Sequence, residues 1–262
     1  MVSISSIVIR GLNFSYDSNH ILHDIDLELE GAGLICIIGP NGVGKSTLIK
    51  CMNGLLKPTS GEIIINGTPI SEYTMKELSE FIGYVPAASS LSFPMSVIDS
   101  ILIGMKQSDR WRQDPDDVVL AYRSLRVMRM ESMALRNCNS LSAGQTQKVN
   151  ICRGLVRDSE ILILDEPTSN LDVKHQLFVA DFLQRLSHRT GSLVIMISHD
   201  LNIAARFADN VVVMKEPGVV DSFGPPQDII SEEMIREVYS VNSSIIQVNG
   251  RPHVILDSAE NW

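Results

Sequence analysis

A glycine-rich segment with one lysine and two hydroxyl side chains is the part of this sequence best suited to bind phosphate. It reads GPNGVGKST, follows the apolar run Leu34–Ile38 and precedes a helical pattern. The glycines let successive backbone N–H groups face one point. We expect Lys45 to reach the β and γ phosphates and the Ser46 hydroxyl to bind Mg²⁺. The strand-loop-helix context favours a nucleotide loop of pattern G-x-x-x-x-G-K-[ST] over a chance glycine-rich turn. Its predicted nucleotide contacts are Gly39, Asn41, Gly42, Gly44, Lys45, Ser46 and Thr47.

Two adjacent carboxylates follow another apolar run, ILIL. The ends of parallel strands are where ligand-facing residues belong, so Asp165 is predicted to hold Mg²⁺, through water in the usual arrangement of such sites. Glu166 is predicted to orient and deprotonate the attacking water. His199 follows the run VIMIS and is predicted to contact the γ-phosphate. For each residue a non-catalytic alternative remains open, because strands often end on a solvated acid and a lone histidine is often structural.

The segment NSLSAGQTQKVNICRGLV, Asn139–Val156, predicts a second anion site. A small turn at Ser142 and Gly144 precedes an amphipathic helix, and the free N–H groups of a helix start attract negative charge. If this segment binds an anion, one chain carries two anion sites about a hundred residues apart. The alternative is that Ser142 only caps the helix.

Composition limits the classes of protein that this chain can be. Its 262 residues are 44% hydrophobic, enough for one domain with an insertion or two small domains. A net charge of −9 gives no overall attraction to nucleic acid or an anionic membrane. The four cysteines lack a metal-binding spacing, so buried thiols are expected. No secretion signal and no apolar run of about 18 to 20 residues is present, so we expect a soluble chain.

The hydrophobic patterns predict an α/β fold. Alternating segments near the N-terminus indicate antiparallel strands, whereas four continuous apolar runs indicate strands buried on both faces. Helical patterns separate these runs, which is typical of a parallel sheet. The predicted fold is therefore a P-loop NTPase core with a parallel sheet, an antiparallel β subdomain at the N-terminal side and an inserted helical subdomain. The four buried runs are Leu34–Ile38, Glu160–Glu166, Ser192–Ser198 and Asn210–Met214.

Further helices and one strand pair are predicted outside the sheet. FPMSVIDSILIGM and DPDDVVLAYRSLRVMRMESMALR are read as helices, the second starting at Asp114-Pro115. TLIKCMNGLL follows the phosphate loop as a helix, and HQLFVADFLQRLSHRTG ends on Gly191. QDIISEEMIREVYS is read as one helix before the strands SIIQV and HVIL. The predicted domains are 1–86 with 155–228 (core and β subdomain), 87–154 (helical) and 229–262 (C-terminal extension).

The motifs GPNGVGKST, LSAGQ, ILILDEPTSNLD and MISHD occur in this order, and over about 225 residues the chain resembles the ATP-binding subunit of an ABC transporter. The resemblance implies an ATPase using ATP and Mg²⁺, in which two copies pack head to tail. Ser142, Gly144 and Gln145 would then contact the γ-phosphate held by the other copy, and Asp172 would cross the interface. Tyr16 matches the aromatic residue that stacks on adenine; a surface or core tyrosine is the rival reading.

The resemblance also implies partners and a location. They are two polytopic membrane permease subunits, which would dock on the helical insertion between Pro86 and Leu141, and indirectly an extracytoplasmic substrate-binding protein. No nucleic acid is expected, and the chain would lie at the cytoplasmic face of the membrane. The segments SSLSFPMSV and IREVYSVNSSIIQVNGRPHVIL resemble importers of iron-siderophores, haem, cobalamin and related metal chelates. A molybdate or tungstate importer, or a soluble ATPase of the iron–sulfur assembly type, remains an alternative.

One position departs from the family pattern. The family has glutamine at the junction between core and insertion, in a pattern like GYVPQ, where it meets Mg²⁺ and the attacking water, whereas this chain reads IGYVPAASS with Ala87 there. Alanine can neither coordinate a metal nor hydrogen-bond through its side chain. We therefore expect ATP binding to persist through Lys45, Ser46 and Asp165, and hydrolysis or its coupling to be weakened.

Overall fold

The computed structural model of the chain describes residues 5–87, 94–105, 115–157 and 159–259, and strands and helices alternate through most of them. In chain order the strands are β1 (Ser6–Tyr16), β2 (Asn19–Glu30), β3 (Gly33–Ile38), β4 (Ser60–Ile65), β5 (Thr68–Pro69), β6 (Ile82–Val85), β7 (Ile161–Leu164), β8 (Leu193–Ile197), β9 (Asn210–Lys215), β10 (Val219–Gly224), β11 (Val241–Val248) and β12 (Arg251–Ala259). The α-helices are α1 (Lys45–Met52), α2 (Met75–Phe81), α3 (Val97–Met105), α4 (Pro115–Val127), α5 (Ala143–Leu155), α6 (Val173–Thr190), α7 (Leu201–Phe207), α8 (Pro226–Ile229) and α9 (Glu232–Tyr239).

A six-stranded sheet forms the centre, in the order β10-β9-β3-β8-β7-β6. Strands β3, β6, β7, β8 and β9 are parallel, and β10 joins β9 antiparallel at the edge. Every residue of β3, β7 and β8 is buried, which explains their continuous apolar runs. Because these strands are parallel, their carboxyl ends meet at one edge, and the phosphate loop leaves β3 there.

The N-terminal side forms a second, antiparallel sheet in the order β2-β1-β4-β5. Along β1 and β2 buried and accessible residues alternate, so one apolar face packs onto the central sheet. The shared core includes Ile7, Ile9 and Leu29 from this sheet, and Ile35 and Ile163 from the central sheet. The predicted parallel core and antiparallel subdomain are both confirmed.

On the opposite face of the central sheet, α3, α4 and α5 pack against one another and join a second apolar core with α6 and α7. These are the helices expected of an inserted helical subdomain. None of the helices in the described ranges combines the length and apolar character that crossing a membrane requires. All four cysteines are buried and unpaired, as predicted.

Four helix predictions are wrong in their extent. The helix read from FPMSVIDSILIGM begins only at Val97, after the non-helical residues 94–96. The helix after the phosphate loop ends at Met52, because Asn53 caps it and Gly54 has a φ of 75°. The helix starting at Pro115 ends at Val127; Arg129 has a φ of 55°, and only a short 3₁₀ turn follows. The single helix predicted near residue 230 is two helices, since the side chain of Ser231 caps a new start at α9.

Strands β6 and β10 were missed by the sequence patterns, as was helix α2. Gly191 ends α6 with a φ of 75°, as predicted. Pro115 starts its helix as predicted, whereas Asp114 and Phe93, and much of SSLSFPMSV, lie outside the described residues. The predicted final strand pair is present as the hairpin β11–β12, which packs against α7 and α9.

Candidate functional site

The phosphate loop connects the buried end of β3 to the start of α1. Gly39 has a φ of 148°, and a side chain there would collide with the carbonyl oxygen of Met214 on β9. Gly44 caps α1 with a φ of 99°, and a Cβ atom there would lie 2.8 Å from Leu22 Cδ2. Glycine is therefore required at both ends of the loop. Between them Asn41 and Gly42 are exposed, while Thr47 is buried on α1.

Lys45 lies inside the curl of its own loop. Its Nζ atom donates to the carbonyl oxygens of Gly39, at 2.7 Å, and Pro40, at 2.6 Å. Burial lowers the pKa of Lys45, and the charges of Glu166 and Asp165 act in the opposite direction. A buried ammonium group held by two carbonyls is poised to exchange these partners for phosphate oxygens, which are stronger acceptors because they are charged.

Ser46 and Asp165 come together as the sequence predicts for a Mg²⁺ site. The Ser46 hydroxyl donates to Asp165 Oδ1 at 3.0 Å, and Asp165 is only 4% exposed. Burial raises the pKa of Asp165, the Ser46 hydrogen bond lowers it, and the neighbouring charge of Glu166 raises it. Within the described ranges no group of three or more His, Cys, Asp or Glu is arranged to hold a metal. One carboxylate and one hydroxyl nevertheless fit Mg²⁺, which keeps water and phosphate oxygens as its other ligands.

Glu166 and His199 form a direct pair at the same edge of the sheet. His199 Nε2 lies 2.6 Å from Glu166 Oε1, although 33 residues separate them. Glu166 has a φ of 49°, and its carbonyl accepts from Ser169 N and Oγ at 3.1 and 2.9 Å. The turn after β7 therefore holds the Glu166 backbone, and His199 holds its carboxylate. Glu166 is next in the chain to Asp165, so a second carboxylate lies beside the candidate metal ligand.

The second predicted anion site forms its own turn. Ser142 caps α5 by accepting from Gln145 N at 3.3 Å, and Gln145 Oε1 accepts from Ser142 N at 3.0 Å, a capping box. A Cβ atom on Gly144 would lie 2.9 Å from the carbonyl oxygen of Asn170, so this turn touches the SNLD turn. The hydrogen bonds of Ser142 and Gln145 are made within the turn, and Ser142 is exposed.

Asp172 caps α6 and also contacts His175. Its Oδ1 accepts from the His175 backbone N–H at 2.9 Å and lies 2.8 Å from His175 Nδ1. The backbone hydrogen bond from His175 lowers the pKa of Asp172. The side chain is exposed, so within one chain its role is helix capping.

Tyr16 and Ala87 lie at the margins of the site. Tyr16 ends β1 opposite Asn19, is 45% exposed and packs edge-on against Phe14 at a ring-centroid distance of 4.8 Å. The start of the paired strand β2 packs on Gly44, so Tyr16 lies on the sheet that borders the phosphate loop. Ala87 follows β6 by two residues, and Val85 accepts from the Asp165 backbone N–H at 2.8 Å. Ala87 therefore lies at the edge where Asp165 and Glu166 emerge.

Two contacts of the site were missed by the sequence reasoning. Gln147, only 3% exposed, donates from Nε2 to the Glu166 carbonyl at 3.3 Å and ties α5 to the turn after β7. The hydroxyl of Tyr239 on α9 lies beside the backbone N–H of Gly39, which acts to lower the pKa of Tyr239 against the larger effect of burial. The polar Gln147 on the buried face of an amphipathic helix was a usable signal, whereas no local pattern pointed to Tyr239.

Comparisons with known proteins agree with this geometry. The family model described as ABC transporter matches residues 22–169. An uncharacterized ABC transporter ATP-binding protein of Methanocaldococcus jannaschii is 38% identical over 254 residues, covering 97% of this chain and 99% of that protein. A hemin import ATP-binding protein of Myxococcus xanthus is 32% identical over 254 residues, covering 94% of each. The structure of a transporter described as being of the metal-chelate type, in an inward-facing conformation, superposes with a TM-score of 0.81. It is 24% identical, covers 96% of this chain and 97% of that one, and is similar in fold.

The family model spans the phosphate loop and the Ser142–Gln145 turn, whereas the matches to the two relatives cover nearly the whole chain. Cassettes of this kind bind nucleotide, dimerise and work with the membrane components of transporters. The resemblance stated from the motifs is therefore confirmed, as are the fold class and the ATPase prediction. The chain belongs to the ABC transporter family, as an ATP-binding cassette whose hydrolysis of ATP is coupled to transport.

Proposed function

We propose that this chain powers the import of a metal chelate of the iron-siderophore, haem or cobalamin class. Two copies would act with ATP and Mg²⁺ on two polytopic permease subunits at the cytoplasmic face of the membrane, supplied by an extracytoplasmic binding protein. The main support for this proposal is the similarity to a hemin import ATP-binding protein. The similarity covers 94% of both chains, so it reaches into the C-terminal extension as well as the common motifs.

Each residue of the nucleotide site has a role that follows from its position. Lys45 binds the β and γ phosphates in place of its loop carbonyls, and the loop N–H groups from Asn41 to Gly44 surround the same oxygens. Ser46 and Asp165 hold Mg²⁺, which supplies charge neutralisation at the phosphates when bound. Glu166 takes a proton from the attacking water. His199 lies 2.6 Å from the Glu166 carboxylate. It orients this carboxylate and donates to the γ-phosphate.

The second copy completes the site. Ser142 is exposed, and the turn from Ser142 to Gln145 packs on the SNLD turn that leads to Asp172, so the two segments form one accessible surface. Ser142, Gly144 and Gln145 would bind the γ-phosphate held by the other copy, and Asp172 would approach that copy's phosphate loop. ATP then favours the closed dimer because the triphosphate contacts both chains, and hydrolysis removes that preference.

The helical segment 87–154 is the proposed docking region for the permease. In its described part, α4 carries exposed apolar side chains at Val119, Leu120 and Tyr122. Ala87 joins this region to the sheet edge that bears Asp165 and Glu166. Alanine offers no side-chain hydrogen bond at this position, so ATP turnover in the complex is weakened. ATP binding is retained, because it depends on Lys45, Ser46 and Asp165.

The decisive experiment is purification of the chain from its native membrane with whatever polytopic protein accompanies it. That complex, reconstituted in vesicles, is expected to show ATPase activity that rises with a binding protein loaded with a haem or iron-siderophore chelate. Stimulation by molybdate or tungstate instead would reassign the cargo. Recovery with soluble partners alone would overturn the transport role.

A further inference from the structure

The C-terminal extension is hydrogen-bonded to α7, the helix that follows His199. The Asn202 side chain donates from Nδ2 to the Val254 carbonyl at 3.1 Å and accepts from the Val254 N–H at 2.7 Å. Asn202 thus pairs with β12 as a neighbouring strand would, through both a donor and an acceptor. Only two residues separate Asn202 from His199. A shift of β12 is therefore transmitted directly to the start of α7.

A second bond holds the other end of the same helix. The Arg251 guanidinium donates from Nη1 to the carbonyl oxygen of Ala208, the residue that caps α7, at 2.8 Å. Helix α7 has only seven residues, and most are buried against the core. With both ends bound to one hairpin, α7 is restrained along its axis and His199 is restrained with it.

A third contact joins the extension to the phosphate loop. The hydroxyl of Tyr239, the last residue of α9, lies beside the backbone N–H of Gly39. Burial raises the pKa of Tyr239, and the Gly39 N–H acts in the opposite direction with a smaller effect. Gly39 is also packed against the Met214 carbonyl, so α9 and β9 hold the start of the loop from two directions.

These few polar bonds matter because the packing between the extension and α7 is incomplete. A cavity of about 450 Å³ with mainly apolar walls lies between the segment His199–Asn202 and the residues Ile235, Tyr239 and Val254. Close packing cannot fix the relative position of the two sides across such a space. The polar contacts of Asn202, Arg251 and Tyr239 therefore restrain the position of the extension relative to α7 and the phosphate loop.

We propose that the C-terminal extension positions the ATP site, with Asn202 acting through His199 and Tyr239 acting through Gly39. Both are positioning residues, because neither is placed to touch the reacting atoms. The inference rests on the roles proposed above for His199 and the phosphate loop. Misplacement of a catalytic group by about 1 Å can cost about a hundredfold in rate, so loosening one of these bonds should be measurable.

The test uses the full-length chain, with steady-state ATPase rates and binding of a fluorescent ATP analogue. Asn202→Leu keeps a similar volume and removes both bonds to Val254; we expect kcat to fall about tenfold while the nucleotide Kd changes less than about twofold. Tyr239→Phe removes only the hydroxyl; we expect Kd to rise about threefold with kcat nearly unchanged. Ser244→Ala is the control, since it breaks an exposed bond to Asp257 within the same hairpin and should change neither.

A double-mutant cycle separates positioning from general stability. If Asn202 acts through His199, Asn202→Leu has little further effect in a His199→Ala background. A full further loss in that background would overturn the proposal, as would native kcat in Asn202→Leu. Arg251→Gln replaces Asn202→Leu if thermal unfolding shows that the latter does not fold, with the same expectations. A native chain without ATPase activity would instead contradict the roles assigned to the site itself.

Discussion

Gly154 of α5 packs against Val85 of β6, and its replacement by alanine tests how tightly α5 is packed there. An added Cβ atom would overlap Val85 Cγ2 and lie 3.4 Å from Leu162 Cδ1. Val85 is 1% exposed, so its branched side chain has no free space to enter. Overpacking costs about 1–3 kcal/mol, whereas alanine gains about 0.5–1 kcal/mol over glycine in a helix. We therefore expect Gly154→Ala to lower the free energy of unfolding by about 1–2 kcal/mol.

Gly104→Ala is the matched control on helix α3. A Cβ atom there meets Arg153 at 3.5 Å, an ordinary contact, so the helix preference of alanine should leave stability unchanged or raise it by up to about 1 kcal/mol. Denaturant unfolding gives both free energies, and for a chain of this size each kcal/mol shifts Tm by about 2–4 °C. Gly154→Ala should thus melt about 2–8 °C lower. Equal free energies of unfolding for the two variants would refute the packing argument.

Three further predictions concern the nucleotide site. Glu166→Gln should lower the hydrolysis rate by about a hundredfold or more while ATP holds two copies together; size-exclusion chromatography showing a single copy with ATP would contradict this. Lys45→Met should weaken ATP binding by about ten- to a hundredfold, because it removes a charged donor, and a native Kd in a titration would argue against that role. Ala87→Gln should raise the ATPase rate of the assembled complex, and unchanged rates and unchanged stimulation would remove the significance given to Ala87.

The central sheet was predictable because its strands are buried on both faces. Such strands need apolar residues at every position, and β3, β7 and β8 show this without interruption. Strand β6 is interrupted by Gly83 and the half-buried Tyr84, and β10 is only half-buried, so neither produces a distinct pattern. The early end of α4 depends on a positive φ at Arg129, a residue type that gives no signal for it. Helix existence was therefore easier to predict than helix length.

The nucleotide site was predictable wherever function imposes a local pattern. Lys45 and Ser46 share one loop, and Asp165 and Glu166 share one strand end, so residue type and spacing identify them. The pairing of Glu166 with His199 follows once the strands are known to be parallel neighbours. Tyr239 lies 200 residues from Gly39, and the side-chain amide of Asn202 bonds to backbone atoms of Val254 that most residue types at that position would offer. No local pattern records such contacts, because they depend on how the extension packs.

The capping box of Ser142 and Gln145 shows how the start of α5 is stable within one chain while it leaves donors for the contact proposed with a second copy. Ser142 and Gln145 satisfy each other's backbone N–H groups, so the turn holds its shape without a ligand. The N–H groups of Ala143 and Gly144 have no protein acceptor in the part of the chain that the structure describes. They point out of the helix start, where the dipole favours negative charge. The turn is thus formed in advance with two donors free. In the proposed dimer, a γ-phosphate held by the other copy would therefore meet an ordered site, and its binding energy would not be spent on ordering the loop.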